Sequence, residues 1–288
     1  MIGVMSYVRS RMRTEGGFMG LTHALSAVAI ILTIMAIRPE WITIVTKGAG
    51  TPYLILLLLV VVGGALMPDL DNTDSSAESA LGFIGSGISW FMRLTAPIIQ
   101  GAIHTKYDKD TENAHRGFYH TALAAALFGS LTSFLCSDAI DVPVYGPFHL
   151  NGKIIAIIIA FIGVHIALST LGKPIIKKAQ SQAGLLGFIV PTLLSAVVVS
   201  VLWSQLPEET DYTIIGIAFG AGWLIHELGD MCTTAGVPVL FPLPIRGHLW
   251  WNVRLLPIKA GGVIENYFFI PLFLIVSVVM LVLILHIT

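Results

Sequence analysis

The chain has 288 residues, 55% of them apolar and only 11% charged, with a mean hydropathy of +0.84. A soluble fold of this size could not keep so much apolar surface from water, and intrinsic disorder needs the opposite composition, so both classes are excluded. A net charge of −1 gives no basic footprint, and no nucleic-acid partner is expected. What remains is an all-α polytopic transmembrane helical bundle, read as a single integral membrane domain over residues 1–288.

Crossing the hydrocarbon needs about 17–25 apolar residues. In chain order, seven runs qualify: Phe18–Ile37, Thr51–Met67, Gly117–Cys136, Ile154–Leu171, Leu185–Leu206, Thr213–Met231 and Val263–Ile287. The short alternating segments of a transmembrane barrel are absent, so these runs are predicted to be helices. Residues 1–17 form a basic leader, and the first span is expected to be retained rather than cleaved. An eighth stretch, Leu81–Ile103, carries Arg93 at its middle and Pro97 beyond it. It is read as an interfacial or re-entrant segment.

Charge sets the orientation. With seven spans and the N-terminus inside, the inner segments hold 13 Lys and Arg, against 3 (Arg38, Lys47 and Lys153) outside. That is a strong positive-inside bias, and it predicts a multi-pass protein of the cytoplasmic (inner) membrane. Letting Leu81–Ile103 cross would invert everything after it and erase the bias. Cys136 and Cys232 fall at opposite ends of their spans, too far apart for a disulfide.

Ionisable groups in spans are costly, so each is a functional candidate. His23 lies about one and a half turns into the first span. Asp69 and Asp71 follow the second span in the run Met67-Pro68-Asp69-Leu70-Asp71-Asn72. His115 and His120 flank the start of the third, and His226 and Asp230 occupy the last turns of the sixth. Four spans thus bring His or Asp to one depth at the cytoplasmic end. Residues four apart share a helix face, so His226 and Asp230 can address one ion. This nitrogen- and oxygen-rich, sulfur-free set suits zinc, with manganese or iron as alternatives, and two or more ions. Arg116, beside a helix N-terminus, would favour an anion. His165 is expected to pack rather than ligate, His104, His149 and His286 to play no part, and Glu227 to face away toward a basic loop residue.

Several of these residues fall in ordered motifs: Leu21-Thr22-His23, Pro68-Asp69-Leu70-Asp71, His115-Arg116-Gly117-Phe118-Tyr119-His120, His226-Glu227-Leu228-Gly229-Asp230 running on to Phe241-Pro242, and Gly261-Gly262-Val263-Ile264-Glu265. This order resembles the YdjM-type family of LexA-regulated, membrane-bound metal-dependent hydrolases. Asn72 and Tyr119 stand where that family commonly has His and Thr. A more distant similarity, to zinc-dependent phospholipase C and the P1-type nucleases, implies phosphoester chemistry on a zinc cluster. The family pattern also implies a role for Glu265, in catalysis or beside a ligand.

The resulting expectation is a metal-dependent hydrolase, a phosphoric ester hydrolase at the cytoplasmic leaflet whose substrate is a lipid or lipid-like phosphoester. His23, Asp69, Asp71, His115, His120, His226 and Asp230 are its expected metal ligands, and Asp71, Arg116 and Glu265 its catalytic residues. Membrane lipids are its expected partners. Two alternatives stand beside it: a metal-ion or solute transporter, and a non-catalytic protein whose metal staples helices together.

Overall fold

Each of the seven apolar runs is helical in the computed structural model, which describes residues 20–46, 49–72, 76–108, 116–145, 148–172, 186–256 and 258–287. The helices are α1 (Gly20–Ile37), α2 (Glu40–Thr46), α3 (Gly50–Gly64), α4 (Ser76–Ala102), α5 (Ala122–Leu135), α6 (Gly152–Leu171), α7 (Leu186–Trp203), α8 (Thr213–Met231) and α9 (Ile270–Ile287). Tight 3-10 turns occupy Pro68–Asp71 and Phe118–His120, and a π-helical turn, Glu265–Phe269, leads into α9. The leader and His115 lie outside the described residues.

Among the described residues, four helical segments are long and apolar enough to cross a membrane: Gly20–Ile37, Gly50–Asp71, Gly152–Leu171 and Glu265–His286, with Ala122–Leu135 and Ile189–Trp203 shorter. The third predicted span needs correction at its start. Gly117–His120 is not part of the helix: Thr121 caps α5, its Oγ1 accepting the Ala124 N–H at 3.1 Å. The turn adjoins the apolar run with no proline between them, so the sequence pattern carried the boundary too far. The 14 residues of α5 rise only about 21 Å. Between α5 and α6 lies an antiparallel hairpin, β1 (Asp141–Tyr145) with β2 (Phe148–Asn151), Asp141 pairing Asn151.

Over Leu81–Ile103 the chain is one helix, α4. Leu81, Ser89, Met92, Ala96 and Gln100 form its buried stripe at helical spacing, while Trp90, Phe91, Leu94 and Ile98 are exposed. The Arg93 guanidinium donates to Ser89 Oγ one turn back.

Helix α8 is the hub, packed on α5, α3 and α1. Glycines let it approach. A Cβ at Gly222 would sit 2.0 Å from the Val61 carbonyl oxygen of α3, and one at Gly216 would sit 2.0 Å from the Ser133 nitrogen of α5. No side chain fits at either position, so the backbones meet directly. Trp223 stacks on Phe128 with centroids 4.8 Å apart, and its Nε1 donates to the Tyr119 carbonyl at 2.8 Å. The small residues of α8 thereby bring the end of α3 and the turn before α5 against its last two turns.

Candidate metal centre

Five elements meet where α8 ends. Proline, with no N–H to give, stops α3 and leads into the turn carrying Asp69 and Asp71. Between them, Leu70 is fully buried and anchors the turn in the core. His120 ends the next turn, its N–H donated to the Gly117 carbonyl at 3.0 Å. His23 comes from the first turn of α1, and His226, Glu227 and Asp230 come from α8.

Their side chains converge. His23 Nε2 is 3.3 Å from Asp230 Oδ1, and His226 Nε2 lies 3.7 Å from Asp230 Oδ2 and 3.8 Å from Asp69 Oδ1. His120 places Nε2 3.5 Å from Asp71 Oδ2, and Nδ1 3.7 Å from Asp230 Oδ2. The His226 ring is stacked on His23, centroids 3.9 Å apart, and stands 5.2 Å from His120. All three imidazoles are fully buried, whereas Asp69 keeps 23% of its side chain exposed. Asp69 therefore marks the opening of the centre.

Two groups have the spacing to hold a metal ion: His23, His226 and Asp230, and Asp69, His120 and His226, with donor atoms in each within 4.8 Å of one another. The chemistry of the donors fits a cation as well. His226 Nδ1 lies 2.8 Å from the Ala65 carbonyl oxygen, which can only accept, so Nδ1 carries the proton. In the neutral ring Nε2 is then a bare lone pair facing two carboxylate oxygens at 3.7 and 3.8 Å. These separations are too long for hydrogen bonds. They are close to the ~3.4 Å between neighbouring ligands around a tetrahedral ion with bonds of ~2.1 Å. Charge points the same way. Among the described residues, the cluster gathers four carboxylates, Asp69, Asp71, Glu227 and Asp230, and one guanidinium, that of Arg116, 3.5 Å from Asp230. Buried carboxylates in that excess need positive charge.

Because Nδ1 is committed to Ala65, His226 offers one nitrogen. Both triads draw on it, so they share one ion or compete for it.

Arg116 is buried beside the centre. Its NH1 donates to the Gly236 carbonyl at 2.9 Å and to Thr233 Oγ1 at 3.2 Å, while NH2 stands 3.5 Å from Asp230 Oδ2. The loop after α8 therefore orients it. Glu265 is fully buried beside the centre: it accepts from Thr22 Oγ1 at 2.5 Å and from the Gly261 N–H at 2.6 Å. It clamps α9 to α1 one residue from His23.

Glu227 refines the sequence reading. Among the described residues it makes no close ion pair with a basic loop residue; it is fully buried, with Oε2 3.8 Å from His120 Nδ1, and neither oxygen has a hydrogen-bond partner there. Its spacing was the available signal: three residues before Asp230, it lies about 60° from it around the helix. His165 takes no part; Nδ1 meets Ser195 Oγ at 3.2 Å and the ring stacks on Phe161. His104, His149 and His286 bond local groups away from the centre.

A helical membrane protein with a buried His/Asp cluster at one end of its bundle is thus defined. The chain belongs to the YdjM inner membrane protein family, whose profile matches residues 18–172, just over half of its length. The match includes His23, Asp69, Asp71, His115, Arg116 and His120; His226, Glu227, Asp230 and Glu265 lie beyond it. Nothing among curated proteins or solved structures matches the chain.

Proposed function

We propose that this protein is a membrane-embedded metal-dependent hydrolase that cleaves a phosphoester of a lipid or lipid-like substrate at the cytoplasmic leaflet. The observation that carries the reading is the lone pair of His226 Nε2 held against Asp69 and Asp230, a ligand set in want of a cation. His23, His226 and Asp230 would hold one divalent ion, zinc in the first instance, and Asp69, Asp71 and His120 remain for a second. Such ions supply Lewis-acid polarisation and a water acidified toward neutrality.

The chain's own residues divide the remaining work. Asp69, part-exposed, lines the entry for water and substrate. Asp71, when it does not ligate the second ion, would take the proton of the attacking water and pass it to the departing oxygen. Arg116, with NH1 fixed by Thr233 and Gly236, turns NH2 toward the centre to hold a phosphate oxygen as charge develops. Burial of the imidazoles keeps bulk water away, which strengthens each of these interactions. The excess of Lys and Arg on the inner segments supports a cytoplasmic location for the centre.

The test is hydrolysis of phospholipids and of a generic phosphodiester by the purified full chain with Zn or Mn. Metal-dependent turnover abolished by Asp71→Asn is expected. Metal-loaded protein that hydrolyses neither substrate class would overturn the reading.

A further inference from the structure

The loop after α8 carries a second feature at the same end of the bundle. Between Asp230 and Glu265 there is no acidic residue, while Arg246, Arg254 and Lys259 all occur. Exposed leucines accompany them: Leu243, Leu255 and Leu256. The segment after α4 is stitched to this loop. The Thr105 hydroxyl proton is shared between the Gly247 carbonyl at 2.8 Å and Asp108 Oδ2 at 2.9 Å, and Trp250 Nε1 donates to the Ile103 carbonyl at 2.7 Å. Part-buried Asp108 accepts from the N–H groups of Leu249 and Trp250 at 3.3 and 3.2 Å. Among the described residues of this junction, its one acid is thereby engaged internally.

The junction leaves cations over rings at its surface. Arg246 stands over Trp251 at 5.5 Å and Lys106 over Tyr107 at 5.0 Å, with His248 between Tyr107 and Trp251. Aromatic rings, basic side chains and exposed leucines together are the composition of a headgroup-level surface.

We propose that this latched junction, with Lys106 and Arg246 as its cations, is a binding surface for anionic glycerophospholipid headgroups. Charge complementarity selects the occupant: each Lys or Arg at such a surface is worth about a fivefold preference for an anionic lipid. The surface adjoins the metal centre, since Phe241 touches both Phe118 and Trp250. It needs no chemistry from that centre, so it stands or falls independently of the hydrolase reading.

The test is native mass spectrometry of the full chain from micelles holding equal phosphatidylglycerol and phosphatidylcholine. Wild type and Lys153→Gln, a control at the opposite end, should retain phosphatidylglycerol preferentially. Lys106→Gln with Arg246→Gln should lose that preference tenfold or more, about fivefold per cation, while Lys106→Arg with Arg246→Lys keeps it. A preference unchanged in the glutamine variant, or lost equally in the charge-conserving one, overturns the proposal.

Discussion

His226 donates its Nδ1 proton to the carbonyl oxygen of Ala65, 2.8 Å away on the neighbouring helix. This bond across α3 and α8 decides which nitrogen of the ring faces the carboxylates, and it exists because Gly222 lets the two backbones touch. Helix packing and ligand chemistry are thus coupled through one contact.

Gly222→Ala tests the coupling. The added methyl would start 2.0 Å from the Val61 carbonyl oxygen, and its three nearest atoms are all backbone. Overpacking of this kind costs about 1–3 kcal/mol or more. The variant should unfold at lower temperature in detergent and bind metal roughly 10–100-fold more weakly as the His226–Ala65 bond is strained. Unfolding scans and chelator competition measure the two effects.

Trp223→Phe keeps the stack on Phe128 but removes the hydrogen bond to the Tyr119 carbonyl. The loss should be about 1 kcal/mol. Its local sign is faster amide exchange over Phe118–His120, the turn that presents His120.

Asp71→Asn separates an enzyme from a metal staple. In the enzyme the variant keeps its fold and loses activity by about 10²-fold or more. In a staple, function should fall only as far as the melting temperature does. Turnover and thermal unfolding on the same preparation decide between them.

Asp108 predicts a pH dependence. Burial pushes its carboxyl upward, but hydrogen bonds from the Thr105 N–H and hydroxyl and from the Trp250 and Leu249 amides outweigh it and hold the group below the usual Asp range. A lowered carboxyl contributes stability above the ordinary value near 4 and loses it as pH falls through the folded value. Protection of the Leu249 and Trp250 amides, corrected for intrinsic exchange, should hold from neutrality to about pH 4 and decline below. In Asp108→Asn it should be reduced throughout, with no further acid transition.

Much of this was legible in the chain. Long apolar runs marked the helices, and the scarcity of charge made His23, Asp69, Asp71, His120, His226 and Asp230 stand out. Boundaries were less legible, because Gly117–His120 adjoins the apolar helix directly and the Thr121 cap separates them. Glu227 was less legible because the tight packing that buries it depends on glycines of α8 meeting α3 and α5, and close approach leaves no periodic signal. Asp108 lies in no motif; its role comes from amides some 140 residues away.

The central claim is that His226, with its Nε2 turned toward Asp69 and Asp230, holds a divalent ion. Elemental analysis of the full chain, purified without chelator beside a His226→Ala variant of matched helical content, tests it most directly. We predict at least one equivalent of a transition metal in the parent protein and its loss in the variant. A metal-free parent, or a variant that keeps the full complement, would contradict the account.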